Sequence, residues 1–301
     1  MKIKGIFIAL LFVVLSANLF AQADLTGSLL WKISGNNLKN PSYILGTFHL
    51  KNGDYLNTIP GAMDAILSSN QIIGELDMTD MQTIQMQMLP AMQMPLDTTY
   101  NMLYSGENYL FVNEKITDIF GVGLEQLAVL RPSALQTMMV VMLFQELIPE
   151  FDAQNSMDLV VQQIGREKGK TIIGLESVEE QAFVLFHSSS LQRQAELLFC
   201  HLQNLDEEVL NEAIQLIEDY NKGDLTAIYF NSMQNEDVSC PYTQEEKDLL
   251  AKNRNDQWMQ KIPELIEKTS SFIAVGALHL PGENGLLYQL QQLGYQVEPI
   301  F

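Results

Sequence analysis

Ser271 to Leu280 reads SFIAVGALHL, and Ser42 to Leu50 reads SYILGTFHL. Each is a compact, β-branched run closed by a glycine, Gly276 or Gly46, with a histidine three residues further on, His279 or His49. Short apolar runs that end at glycine predict buried strands. Two more runs have the same build: QIIG, ending at Gly74, and KTIIG, ending at Gly174. Acids follow these at once, Glu75 and Asp77 in ELD and Glu176 in LES. His, Glu, Glu and His therefore occur in that order, each just past a strand-ending glycine, a residue that allows close backbone approach. In a sheet with helices on its faces, ligands bind beyond the strand ends. Four strands of like direction would bring these side chains to one rim.

Outward from these runs, LLWKIS and PSYILGTFHL predict a hairpin across GNNLKNP, and GYQVEPIF predicts a final strand. Ser177 with Glu180, and Thr243 with Glu246, match capping boxes at helix starts. DEEVLNEAIQLIEDYNKG stops at Gly223, and the helix after PGENG stops at Gly294. No Gly/Ser-rich or Pro-rich linker divides the chain. The expected fold class is α/β: residues 24–301 form one domain, a central mixed sheet flanked by helices, with a mostly helical insertion over about 100–240.

A chain of 301 residues, 47% hydrophobic, can bury a sizeable core. Its 17 basic and 37 acidic groups give a formal charge of −20, which argues against a nucleic-acid partner and an anionic membrane surface. Residues 1–23, with Lys2 and Lys4 before an apolar run and small residues at Ala21 and Ala23, have the build of a cleaved secretory signal peptide. The protein is therefore expected to be exported, to a periplasm or the medium, with no stable membrane insertion. In such a compartment Cys200 and Cys240 could be joined; a buried free thiol at Cys200 is the alternative.

On these residues the sequence resembles the TraB/GumN family, whose animal members include the Tiki proteases. The family hallmark of two Gly-x-x-His words with a strand-borne Glu between them falls on Gly46 to His49, Glu75, and Gly276 to His279. LLWKIS, IIGELD, KGKTIIGLESVEEQ, RNDQW and the C-terminal stretch also fit, from Leu29 to Phe301. The resemblance implies a fold related to erythromycin esterase and ChaN-like proteins, and a metal-dependent peptidase activity. It does not extend over Met78 to Met102.

Two neutral imidazoles and a carboxylate are a common set of ligands for a catalytic divalent metal. His49, His279 and Glu75 are the expected ligands of such an ion (Zn, Mn or Co), with Glu75 alternatively the general base. Glu176 is a second acid that could be ligand, base or a support for an imidazole. Thr47 could hydrogen-bond a substrate or a ligand, and Arg254 could bind a substrate carboxylate or phosphate in a bidentate manner; structural roles compete for both. His187 and His201 read as structural. The methionines of 78–102 suggest a substrate-facing lid or helix packing rather than Cu(I) binding. There is no GxSxG, HExxH, P-loop or CxxC.

The function expected from this set is an exported metal-dependent hydrolase, with a peptide as the first substrate class. A metal-free, esterase-like hydrolase on the same residues, or a protein that binds a small molecule or metal without turnover, are the alternatives.

Overall fold

The computed structural model describes residues 25–205 and 209–301. The expected leader, 1–23, lies outside the described residues. Six strands form one mixed sheet: β1 (Leu30–Gly35), β2 (Ser42–Thr47), β3 (Gln71–Gly74), β4 (Thr171–Gly174), β5 (Ser271–Gly276) and β6 (Tyr295–Pro299), in the order β4-β3-β5-β2-β1-β6. β2, β3, β4 and β5 run parallel to their neighbours in that set. β1 pairs antiparallel with both β2 and β6.

The four glycine-closed runs are thus the four parallel strands, and their C-terminal ends share one edge. β3 and β5 are buried at every position, which is why they read as unbroken apolar runs instead of alternating ones. β4 is the sheet edge and is partly exposed. The β1–β2 hairpin turns through Gly35, Asn36 and Asn37, all at positive φ, a conformation glycine and asparagine accept most readily.

Register puts the two Gly-x-x-His words side by side. Gly46 pairs with Val275 and Thr47 with Gly276, so the words are offset by one residue. A Cβ on Gly46 would stand 3.0 Å from the Cα of Ala277, so the bare glycine lets the second word turn tightly over the first.

Helices cover the sheet. Met157–Glu167 packs against β3 and β4, and it approaches closely because Gly165 faces Ile72, where a Cβ would come within 2.5 Å of a side-chain carbon. Lys252–Trp258, Ile262–Lys268 and Leu286–Gln292 lie before and after β5 in the chain. Their buried residues Trp258, Ile262 and Leu290 join Ile72, Ile273 and Leu45 in the main core. A second apolar cluster joins Val112, Ile116, Leu135, Met139 and Leu198, all on helices.

Both capping boxes form, Ser177 with Glu180 and Thr243 with Glu246. The helical runs after them are broken more often than their hydrophobicity suggests. Ser190 caps a new helix, Leu191–Gln203, after Val178–Phe186 ends at His187. The span 100–240 holds β4 and the sheet-covering Met157–Glu167 as well as the helical cluster. Cys200 and Cys240 form a disulfide across 40 residues. Among the described residues no helix is long and apolar enough to cross a membrane.

Candidate active site

Past the ends of β2, β3 and β5, His49, Glu75 and His279 converge. The Nε2 atoms of the two imidazoles each lie 3.8 Å from the same oxygen, Glu75 Oε1. That oxygen accepts the Gly276 N–H at 2.8 Å. The three side chains fit around Gly276 because it has no Cβ, which would stand 3.2 Å from Glu75 Oε1 and 3.3 Å from His49 Nε2.

The tautomer of each imidazole follows from its neighbours. His49 Nδ1 lies 2.7 Å from Asp158 Oδ2, an acceptor, so Nδ1 carries the proton. The other oxygen of Asp158 accepts the Thr47 hydroxyl at 2.7 Å. Asn255 donates its amide N–H groups to the carbonyls of His279 and Asn284, which fixes Oδ1 toward His279 Nδ1 at 2.7 Å. His279 Nδ1 therefore also carries a proton, and its Nε2 lone pair accepts from Arg254 Nη1 at 3.1 Å. Trp258, fully buried, packs its ring against both His279 and the Arg254 guanidinium.

Arg254 is fully committed. Nε and Nη2 meet Glu176 at 2.9 and 2.6 Å, Nη2 meets Glu75 at 2.6 Å, and Nη1 reaches His279 and the Leu250 carbonyl. All of its donors are therefore used within the protein. The bidentate partner of Arg254 in this structure is Glu176. Glu176 in turn holds the arginine, not an imidazole. Thr47 is buried and serves Asp158. Asp77 is exposed and accepts from the backbone N–H of Thr79. His187 and His201 bond to main-chain carbonyls of Ala91 and Leu197, in keeping with structural roles.

Charge follows geometry. Burial alone would raise the Glu75 carboxyl; Arg254, with His49 and the Gly276 N–H, overcomes it and holds the group ionised, well below the usual carboxylate range. Burial pushes the His279 imidazole down to about 3, so it stays neutral. Asp158 pulls the His49 imidazole up to about 9, and Glu75 adds to this. His49 is also the accessible member: 59% of its side chain is exposed, against 6% for His279. A cleft of about 300 Å³ opens over His49, Glu75, Asp158 and Arg254, lined further by Met78, Gln181, Val184 and Leu185.

Asp158, Asn255, Gln181 and Trp258 were not among the residues expected from sequence. Asn255 and Trp258 lie in the RNDQW stretch, where they follow Arg254 by one and four positions on a helix. Asp158 carries no such signal, because an acid in the first turn of an amphipathic helix ordinarily reads as a partner of the helix dipole.

Fold and site together define an α/β protein with a strand-end centre of two histidines, a glutamate and a buried arginine. The chain belongs to the TraB/PrgY/gumN family, whose model matches residues 29–299. It is similar to proteins named Metalloprotease TIKI2: one from Danio rerio is 28% identical over 92% of this chain and 62% of the relative, and one from Xenopus tropicalis is 27% identical over 92% and 60%. The chain thus spans about six-tenths of the length of the curated relatives it matches. No solved structure matches it.

The relatives' name implies a metal, which requires donor atoms gathered around one ion. Ligand atoms about 2.0–2.2 Å from one ion stand about 3.3–3.6 Å apart at a tetrahedral angle, so the two 3.8 Å spacings here are only slightly wide for a shared ion. The lone pair of His279 is also occupied by a guanidinium, itself a cation. Among the described residues no group of three or more His, Cys, Asp or Glu is gathered to hold a metal ion. As arranged, His279 has no lone pair to offer a metal while Arg254 Nη1 holds its Nε2.

Proposed function

We propose that the chain is a hydrolase that cleaves peptide bonds at the His49–Glu75–His279 centre, with His49 as the group that takes the proton from the attacking water. The observation that carries this reading is the convergence of both imidazole Nε2 atoms on one Glu75 oxygen beneath an open cleft. Peptide is the substrate class because the similar proteins are named metalloproteases.

Each residue then has a task that its surroundings support. His49 presents Nε2 to the cleft and, once neutral, can accept a proton there, while Asp158 holds its Nδ1–H and stabilises the imidazolium that forms. Glu75, kept ionised, favours that protonation from the other side of the ring. Neutral His279 holds Arg254, which keeps Glu75 in place, and the guanidinium sets a positive field beside the reacting bond. The site works outside the cytoplasm in this reading, supported by the build of residues 1–23 and by the Cys200–Cys240 disulfide.

A second reading is metal-dependent hydrolysis with His49, His279 and Glu75 as ligands. It is favoured by one feature: both Nδ1 atoms are engaged by acceptors, which leaves both Nε2 atoms, each 3.8 Å from Glu75 Oε1, as the ligand atoms. Arg254 would first have to release His279.

Metal analysis of the purified protein, with cleavage of a peptide library in the presence and absence of chelator, separates these readings. Chelator-insensitive cleavage that is lost in His49→Ala supports the first. Stoichiometric metal with chelator-sensitive cleavage supports the second. A ligand retained through purification with no turnover of any peptide overturns both and makes the chain a binding protein.

A further inference from the structure

Apart from His49, whose Nε2 is kept for the attacking water, the charged groups around the cleft leave none over for a substrate. Both oxygens of Asp158 are taken by Thr47 and His49. Glu75 is taken by Gly276 and Arg254, and Arg254 spends every donor inside the protein. A charged substrate side chain entering here would be desolvated with no uncommitted charge to pair with beyond His49.

Beside the polar Ser156, Gln162 and Gln181, the rest of the lining is apolar. Met78, on the loop three residues past Glu75, and Val184 and Leu185, on the helix Val178–Phe186, offer apolar surface to the same cleft. That helix is tied to the centre by Gln181, whose amide donates to Glu176 at 3.1 Å and to Glu75 at 3.4 Å. Leu185 lies one turn beyond Gln181 and therefore on the same helix face. The apolar surface begins where the polar centre ends. At about 300 Å³ the cleft is at the small end of ligand sites, room for about one side chain beside the bond to be cut.

We infer that Met78, Val184 and Leu185 form a specificity wall that selects substrates with an uncharged, apolar side chain next to the scissile bond. This inference rests on the hydrolytic reading and names the substrate class for it.

The test is cleavage, by the full chain, of a fluorogenic peptide series that carries Leu, Ala, Asp or Lys at each position flanking the bond cut. The leucine peptide is expected to be cleaved about tenfold or more faster than the Asp and Lys peptides at one of these positions, the discrimination a small apolar pocket supplies. Leu185→Met should keep this profile. Leu185→Asp should lose the leucine preference and gain on the lysine peptide. Leu185 is part-exposed, so its replacement removes little buried apolar surface; Met78→Asp, on a loop, serves as the second variant with the same expectation. Equal cleavage of the Leu, Asp and Lys peptides by the unmodified chain overturns the inference and leaves the hydrolytic reading intact. So does an unchanged profile in both Asp variants. Cleavage of no peptide at all overturns the hydrolytic reading, and this inference with it.

Discussion

Asp158 stands 109 positions from His49 in the chain and 2.7 Å from it in the fold. The contact fixes the tautomer of the one exposed imidazole in the centre and raises its affinity for a proton. Asp158→Asn keeps the shape and removes the charge. It is expected to lower peptide hydrolysis by about 10- to 100-fold and to move the limb of the pH–rate profile from near 9 toward about 6.5, the ordinary histidine value. The pH dependence of kcat/KM measures this. A fall in rate at every pH with the limb in place would assign Asp158 a purely structural role.

Gly276 is the backbone on which the three side chains converge. Its φ of −52° and ψ of 137° suit any residue, so alanine would not strain the chain there. Its Cβ would nonetheless press on Glu75 and His49. Gly276→Ala should leave the thermal midpoint within a few degrees and reduce hydrolysis by about 100-fold, the effect of a small displacement of reacting groups. Thermal unfolding and steady-state kinetics on one preparation check both halves.

The two histidines push stability in opposite directions with pH. His279 has a folded pKa of about 3, below its unfolded value near 6.5, so the unfolded chain binds the extra proton between them and stability falls as pH drops through that range. His49 has a folded pKa of about 9, so its contribution is complete below about 6.5 and is lost as pH rises through 9. Urea midpoints at pH 4, 6.5 and 9 should be highest at 6.5, and His279→Asn should recover part of the loss at pH 4.

The Cys200–Cys240 bridge closes a 40-residue separation and joins the helix Leu191–Gln203 to the segment before Gln244–Leu250. Replacing both cysteines by serine is expected to cost about 2–5 kcal/mol, read as a lower urea midpoint. Hydrolysis at 25 °C should be unchanged, since neither residue lines the cleft over His49.

The parallel core of the sheet was legible in the sequence because its strands are short, apolar and closed by glycine, and because the side chains that follow are too polar to continue them. The rim of His49, Glu75, Glu176 and His279 followed from strand direction alone. The partners of those residues were not legible. Asp158 reaches His49 only because Gly165 lets a helix lie close against β3, a packing event with no local signature. Arg254 was legible as a site residue but not as one facing inward, since sequence does not distinguish a guanidinium that waits for substrate from one saturated by two glutamates. Between His187 and Ser190 the chain leaves one helix and Ser190 caps the next.

The central claim is that His49 and His279, though 230 residues apart, act as one unit. A double-mutant cycle on peptide hydrolysis, with His49→Ala, His279→Ala and both together, tests it most directly. Residues of one catalytic unit are strongly non-additive. The account predicts that each single variant loses most of the activity and that the double variant is no worse than the weaker single. Losses in kcat/KM that multiply as independent factors, or a single variant with full activity, would contradict it.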